Sequence, residues 1–95
     1  MAQTIEKVRP GGPDTARGGN WHIIVLNDNH NTFEHVANTL ARFLPEITVD
    51  RGYRIADAIH NQGQAIVWAG PLEHAELYWE QLQDAGLTMA PLERQ

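Results

Sequence analysis

Eleven residues, Pro10 to Asn20, hold two prolines and four glycines, and this stretch decides how much of the 95-residue chain can build a core. Such a segment cannot bury enough apolar surface to offset the entropy of ordering it, so residues 1–20 are expected to form a flexible N-terminal extension. The remainder, residues 21–95, is the size of one small domain with a modest core.

Within that remainder the apolar residues change period several times. Trp21 to Leu26 is a β-branched apolar run that stops at the polar cluster Asn27-Asp28-Asn29-His30-Asn31, as a strand entering a tight loop does. Thr32 is placed as a helix N-cap. Phe33, Val36, Ala37, Leu40, Phe43 and Leu44 then share one helical face, up to Pro45. Thr48 caps a second helix with Asp50 in its first turn, whose apolar members are Tyr53, Ile55, Ala56, Ala58 and Ile59, and Gly63 supplies a left-handed stop. Gln64 to Ala69 reads as a strand. Gly70-Pro71 turns the chain, with Pro71 suited to the first position of a third helix built on Ala75, Leu77, Tyr78 and Leu82 and stopped by Gly86. Leu87 to Leu92 can form a last short strand, which Pro91 confines to a sheet edge. The order β-α-α-β-α-β predicts an α+β two-layer sandwich, three short antiparallel strands packed against three helices.

Composition removes several function classes. The chain has neither cysteine nor serine, so thiolate metal sites, disulfides and the commonest nucleophiles are missing. Residues 21–95 carry four arginines against ten carboxylates, a net charge of −6. An acidic domain makes a poor nucleic-acid binder but is compatible with a cationic ligand such as a protonated α-amine. No apolar run has the length of a signal peptide or a membrane span, so a soluble, cytoplasmic protein is expected.

Few residues are placed for chemistry. Asn27 and Asp28 sit where a strand hands over to a helix, where such side chains make Asx-turns or caps. The same acceptors, with one negative charge, also suit an ammonium group. His60, near the end of the second helix, serves either the helix dipole or a ligand as a hydrogen-bond acceptor. His22, His30, His35 and His74 form no metal-binding spacing, and no metal or cofactor is expected. Asp28 with His60 could form an acid–base dyad, but no nucleophile accompanies them. Trp68, Tyr78 and Trp79 fit packing or a surface patch.

Two runs carry a family resemblance. V-L-N-D-N-H-N-T-F-E-H-V (Val25 to Val36) and A-I-H-N-Q-G-Q-A-I (Ala58 to Ile66) resemble the ClpS family of Clp-protease adaptors, over about residues 21–92. The closing G-L-T-M-A-P-L-E (Gly86 to Glu93) resembles the cyanobacterial and plastid branch. The resemblance implies a ClpS-like adaptor domain over residues 21–95 that is not an enzyme. It implies binding of N-degrons, proteins with a bulky hydrophobic N-terminal residue, and their delivery to the N-terminal domain of a Clp AAA+ ATPase of ClpC or ClpA type. Under it, Asn27, Asp28 and His60 hold the α-amino group, and Asn31, Phe33, Val36, Ala56, Ile59 and Thr88 form the hydrophobic pocket. Glu73 and Tyr78 fall where the family contacts the ATPase. Asn29 replaces a second acidic residue of the better-known bacterial pattern, and Phe33 and Ala56 replace methionine-type positions, which reshapes the implied pocket. The alternative is an interaction module of the ribosomal-stalk C-terminal type, without a pocket for a chain terminus.

Overall fold

The computed structural model of the chain describes residues 19–95. The extension expected over residues 1–20 therefore lies outside the described residues, apart from its last two positions. The elements are β1 (Trp21–Leu26), α1 (Phe33–Phe43), α2 (Val49–Gln62), β2 (Gln64–Gly70), α3 (Leu72–Asp84) and β3 (Glu93–Arg94). The strands form one antiparallel sheet in the order β2-β1-β3. The expected α+β architecture is present.

Local chemistry fixes the helix ends. Thr32 Oγ1 accepts from His35 N at 3.0 Å, and Thr48 Oγ1 accepts from Arg51 N at 3.1 Å, so each threonine satisfies a backbone donor that its helix leaves free. Gly63 ends α2 at φ 90°, and Gly86 follows the end of α3 at φ 101°, a region where a side chain would be strained. Pro71 differs from expectation: it is the N-cap of α3 and not its first helical residue. Its carbonyl accepts from Ala75 N at 2.9 Å, and no side chain caps that end.

Alternation along β1 sends Ile23 and Val25 into the main core, where Val36, Leu40, Ala56, Ile59, Val67 and Leu82 meet them. A bulge between Ile23 and Ile24 leaves Val67 as the extra residue of β2. Three helix residues expected to face inward do not. Leu77 is 52% exposed, Phe33 40% and Tyr53 39%, because Ala75 and Leu82 define the buried stripe of α3, Val36, Ala37 and Leu40 that of α1, and Gly52, Ala56 and Ile59 that of α2.

The last strand is also corrected. Residues 88–90 run beside β1, with Leu26 N donating to Thr88 O at 2.8 Å and Ala90 N to Ile24 O at 3.1 Å. Pro91, which has no N–H, breaks that ladder, and the strand proper forms only at Glu93–Arg94.

Helices α1 and α2 approach closely at Gly52, where an added Cβ would lie 2.6 Å from Ala37 O and 2.9 Å from Ala37 Cα. Gly52→Ala is therefore expected to cost about 1–3 kcal/mol by forcing the helices apart. Urea unfolding checks this, and an unchanged midpoint would contradict the close approach.

Candidate functional site

The loop between β1 and α1 is organised by one carboxylate. Asp28 Oδ1 accepts from His30 N at 2.9 Å and Asn31 N at 2.8 Å, and this Asx-type turn carries the chain from strand to helix. Asp28 Oδ2 accepts from Asn31 Nδ2 at 2.8 Å and from Thr88 Oγ1 at 2.6 Å. All four acceptor positions of the carboxylate are thus filled from within the chain. Burial alone would push this carboxyl up. The hydrogen bonds from the Thr88 hydroxyl, the Asn31 backbone and side chain and the His30 backbone outweigh it and hold the group well below the usual carboxylate range. Asp28 is a fixed negative charge.

Two further contacts join this loop to the chain after α3. Asn31 Nδ2 also donates to Gly86 O at 3.0 Å, and the His35 ring lies 2.9 Å from Ala85 O through Nε2. The end of α2 is tied in separately, since Asn27 N donates to Gly63 O at 2.9 Å. That bond depends on the left-handed turn at Gly63, and it brings the last turn of α2, with His60, beside the loop.

A narrow hollow lies at this corner. Val25, Leu26, Val36, Ala56, Ile59 and Leu87 give it apolar walls, and Asn27, Asp28, Asn31 and Phe33 complete the lining of a cavity of about 20 Å3. Phe33 is 40% exposed, and its ring packs edge-on against His60 with centroids 5.4 Å apart. An exposed imidazole therefore stands beside the hollow through Phe33 without forming its wall. Among the described residues, no three His, Asp or Glu side chains gather where they could hold a metal ion.

A family model described as ClpS, ATP-dependent Clp protease adaptor protein, matches residues 16–94. The chain belongs to the ClpS family. The ClpS adaptor of Thermosynechococcus vestitus is 58% identical over 74 residues, which cover 78% of this chain and 79% of that protein. The Synechocystis adaptor is 52% identical over 94 residues, 99% of this chain and 87% of its own. These relatives place the chain in the cyanobacterial branch. The structure of Agrobacterium tumefaciens ClpS2 bound to L-phenylalaninamide matches with a TM-score of 0.76, covering 83% of this chain and 100% of that one. At 24% identity this likeness concerns the fold. The chain is thus a Clp protease adaptor, and the stalk-type module is set aside.

Seven residues that the resemblance assigned to a ligand site, Asn27, Asp28, Asn31, Phe33, Val36, Ala56 and Ile59, line the one hollow. Thr88, assigned to the same pocket, is exposed beside it, and its hydroxyl donates to Asp28. Glu73 and Tyr78 lie elsewhere, on α3. Glu73 is exposed in the first turn, while Tyr78 is half-buried against Trp68, with ring centroids 5.1 Å apart. Five positions apart on a helix, they point about 140° from each other. Trp79 is likewise half-buried, its indole N–H donating to Ala90 O at 2.8 Å. Val25, Leu26 and Leu87 line the hollow without having been singled out. Leu87 carried one usable signal, as the apolar residue directly after the stop at Gly86.

Asp28→Asn should lower stability at neutral pH, because the charge that receives the four donors is lost. The folded pKa is depressed, so the wild-type advantage is full above the unfolded value near ~3.9 and fades as pH falls below it. Urea midpoints of both proteins near pH 7, 5 and 3 test this. A gap of equal size at all three would contradict it.

Proposed function

We propose that the corner at Asn27, Asp28 and His60 captures the α-ammonium of a protein N-terminus, and that the adjoining hollow takes the bulky apolar side chain of its first residue. The adaptor then delivers the captured protein to the N-terminal domain of a Clp AAA+ ATPase, of ClpC or ClpA type, in the cytoplasm. It binds and releases, and performs no chemistry itself. The supporting observation is the apolar hollow whose polar end holds a fixed negative charge.

An α-ammonium exists only at a chain end, so a site that requires one rejects the same side chain inside a protein. Asp28 has its acceptor positions filled, so it contributes charge, while the exposed Asn27 carbonyl oxygen and a neutral nitrogen of His60 accept the ammonium hydrogens. Each such bond contributes roughly 1.5–3 kcal/mol, and burial of a Leu or Phe side chain a similar amount. After the cost of association these sums suit micromolar, reversible capture. L-Phenylalaninamide, the compound bound to Agrobacterium tumefaciens ClpS2, has a free α-amine and a benzyl side chain, the two features this corner would recognise.

Phe33 stands at the mouth and Ala56 in the wall, so the side chain that enters must move the Phe33 ring. Contact with the ATPase is assigned to Glu73 and Tyr78 on α3, away from the hollow. Residues 1–20 are assigned as an extension preceding the adaptor domain of residues 21–95.

Fluorescence anisotropy with a labelled peptide beginning with phenylalanine tests the reading. Acetylating its N-terminus should weaken binding by at least about tenfold, and Asp28→Asn and His60→Ala should each weaken it by about fivefold or more. Equal affinity for acetylated and free peptides would refute the assignment.

A further inference from the structure

The proline that breaks the last ladder leaves a second surface open. Pro91 ends the pairing that residues 88–90 make with β1, and between residues 89–92 and α3 lies an open groove of about 710 Å3. Trp79, Met89, Pro91 and Leu92 form its floor, and Glu76 and Glu80 its rim. The indole of Trp79 is fixed by its hydrogen bond to Ala90 O, so the floor is already formed without a partner.

The rim breaks a local rule. Glu76 and Glu80 are four residues apart on one helix, a spacing at which like charges repel, and among the described residues no cationic side chain lines the groove. The domain as a whole is also acidic, with a net charge of −6 over residues 21–95. Among the described residues lining the groove, nothing compensates this unfavourable charge pair beside its apolar, aromatic side chains, and a cationic partner would do so. The groove is separate from the corner described above. On α3 it uses the flank of Glu76, Trp79 and Glu80, whereas Tyr78 points to the other side, toward Trp68.

We propose that this groove docks a short segment of a partner protein that carries a bulky apolar side chain between basic residues. The apolar side chain lies on Trp79, Met89 and Leu92, and the flanking basic groups pair with Glu76 and Glu80. A second copy of this chain would bring further negative charge to the rim, so a different, basic protein is the occupant the charges favour.

The test uses the isotopically labelled full chain and the peptide acetyl-Arg-Leu-Leu-Arg-amide, whose blocked N-terminus cannot engage an ammonium site. Its addition should shift the Trp79 indole N–H resonance saturably, while acetyl-Glu-Leu-Leu-Glu-amide should not. Glu76→Gln with Glu80→Gln should weaken the arginine peptide about fivefold, as for two partly exposed ion pairs, and leave capture of a free-amine phenylalanine peptide unchanged. An unmoved Trp79 resonance, equal shifts with both peptides, or indifference to the double substitution would overturn the proposal. Concentration-dependent self-association that covers Trp79 would overturn it too, by giving the groove to a second copy. Loss of free-amine binding with the groove response intact would instead sink the adaptor mechanism and leave this one standing.

Discussion

A single carboxylate holds together the corner of the molecule to which capture of a chain end is assigned. Asp28 accepts two backbone N–H groups from its own loop, a side-chain amide from Asn31 and a hydroxyl from Thr88, sixty residues away. Removing its charge would leave four donors competing for weaker partners, and the loop, the first turn of α1 and the chain after α3 would lose their common anchor. The same charge then stands at the polar end of an apolar hollow. In the proposed function, fold and recognition therefore draw on one group.

The surrounding backbone is arranged to keep that corner rigid. Gly63 can take its positive φ without strain and turns its carbonyl toward Asn27, so α2 ends against the loop. Asn31 and His35 reach Gly86 and Ala85 from the opposite side. Preorganisation of this kind reduces what a ligand must spend on ordering the site. In the proposed function, capture of a chain end is assigned to one corner and contact with the ATPase to α3, so that an adaptor could hold its cargo and its partner together.

Legibility in the sequence followed the range of the interactions. Caps at Thr32 and Thr48, the stops at Gly63 and Gly86, and the strand Trp21–Leu26 are set by neighbours a few residues away, and they appear where the residues predicted them. The turn formed by Asp28 was foreseeable for the same reason. Thr88 was not, since nothing in its local surroundings reveals a hydroxyl serving a carboxylate sixty residues earlier. Leu77 was misplaced because periodicity alone cannot say which of two adjacent apolar residues the sheet covers. The convergence of Asn27, Asp28 and the apolar walls on one hollow came from the family resemblance, for spacing alone left the Asx-turn and ligand readings both open.

The central claim is that positive charge on the bound amine is required. Calorimetric titration with L-phenylalaninamide, repeated from neutral pH upward, tests it most directly. Affinity should fall roughly tenfold per pH unit once the amine loses its proton, while Asp28 stays ionised throughout. An affinity that holds constant through deprotonation of the amine would contradict a site built around a fixed negative charge.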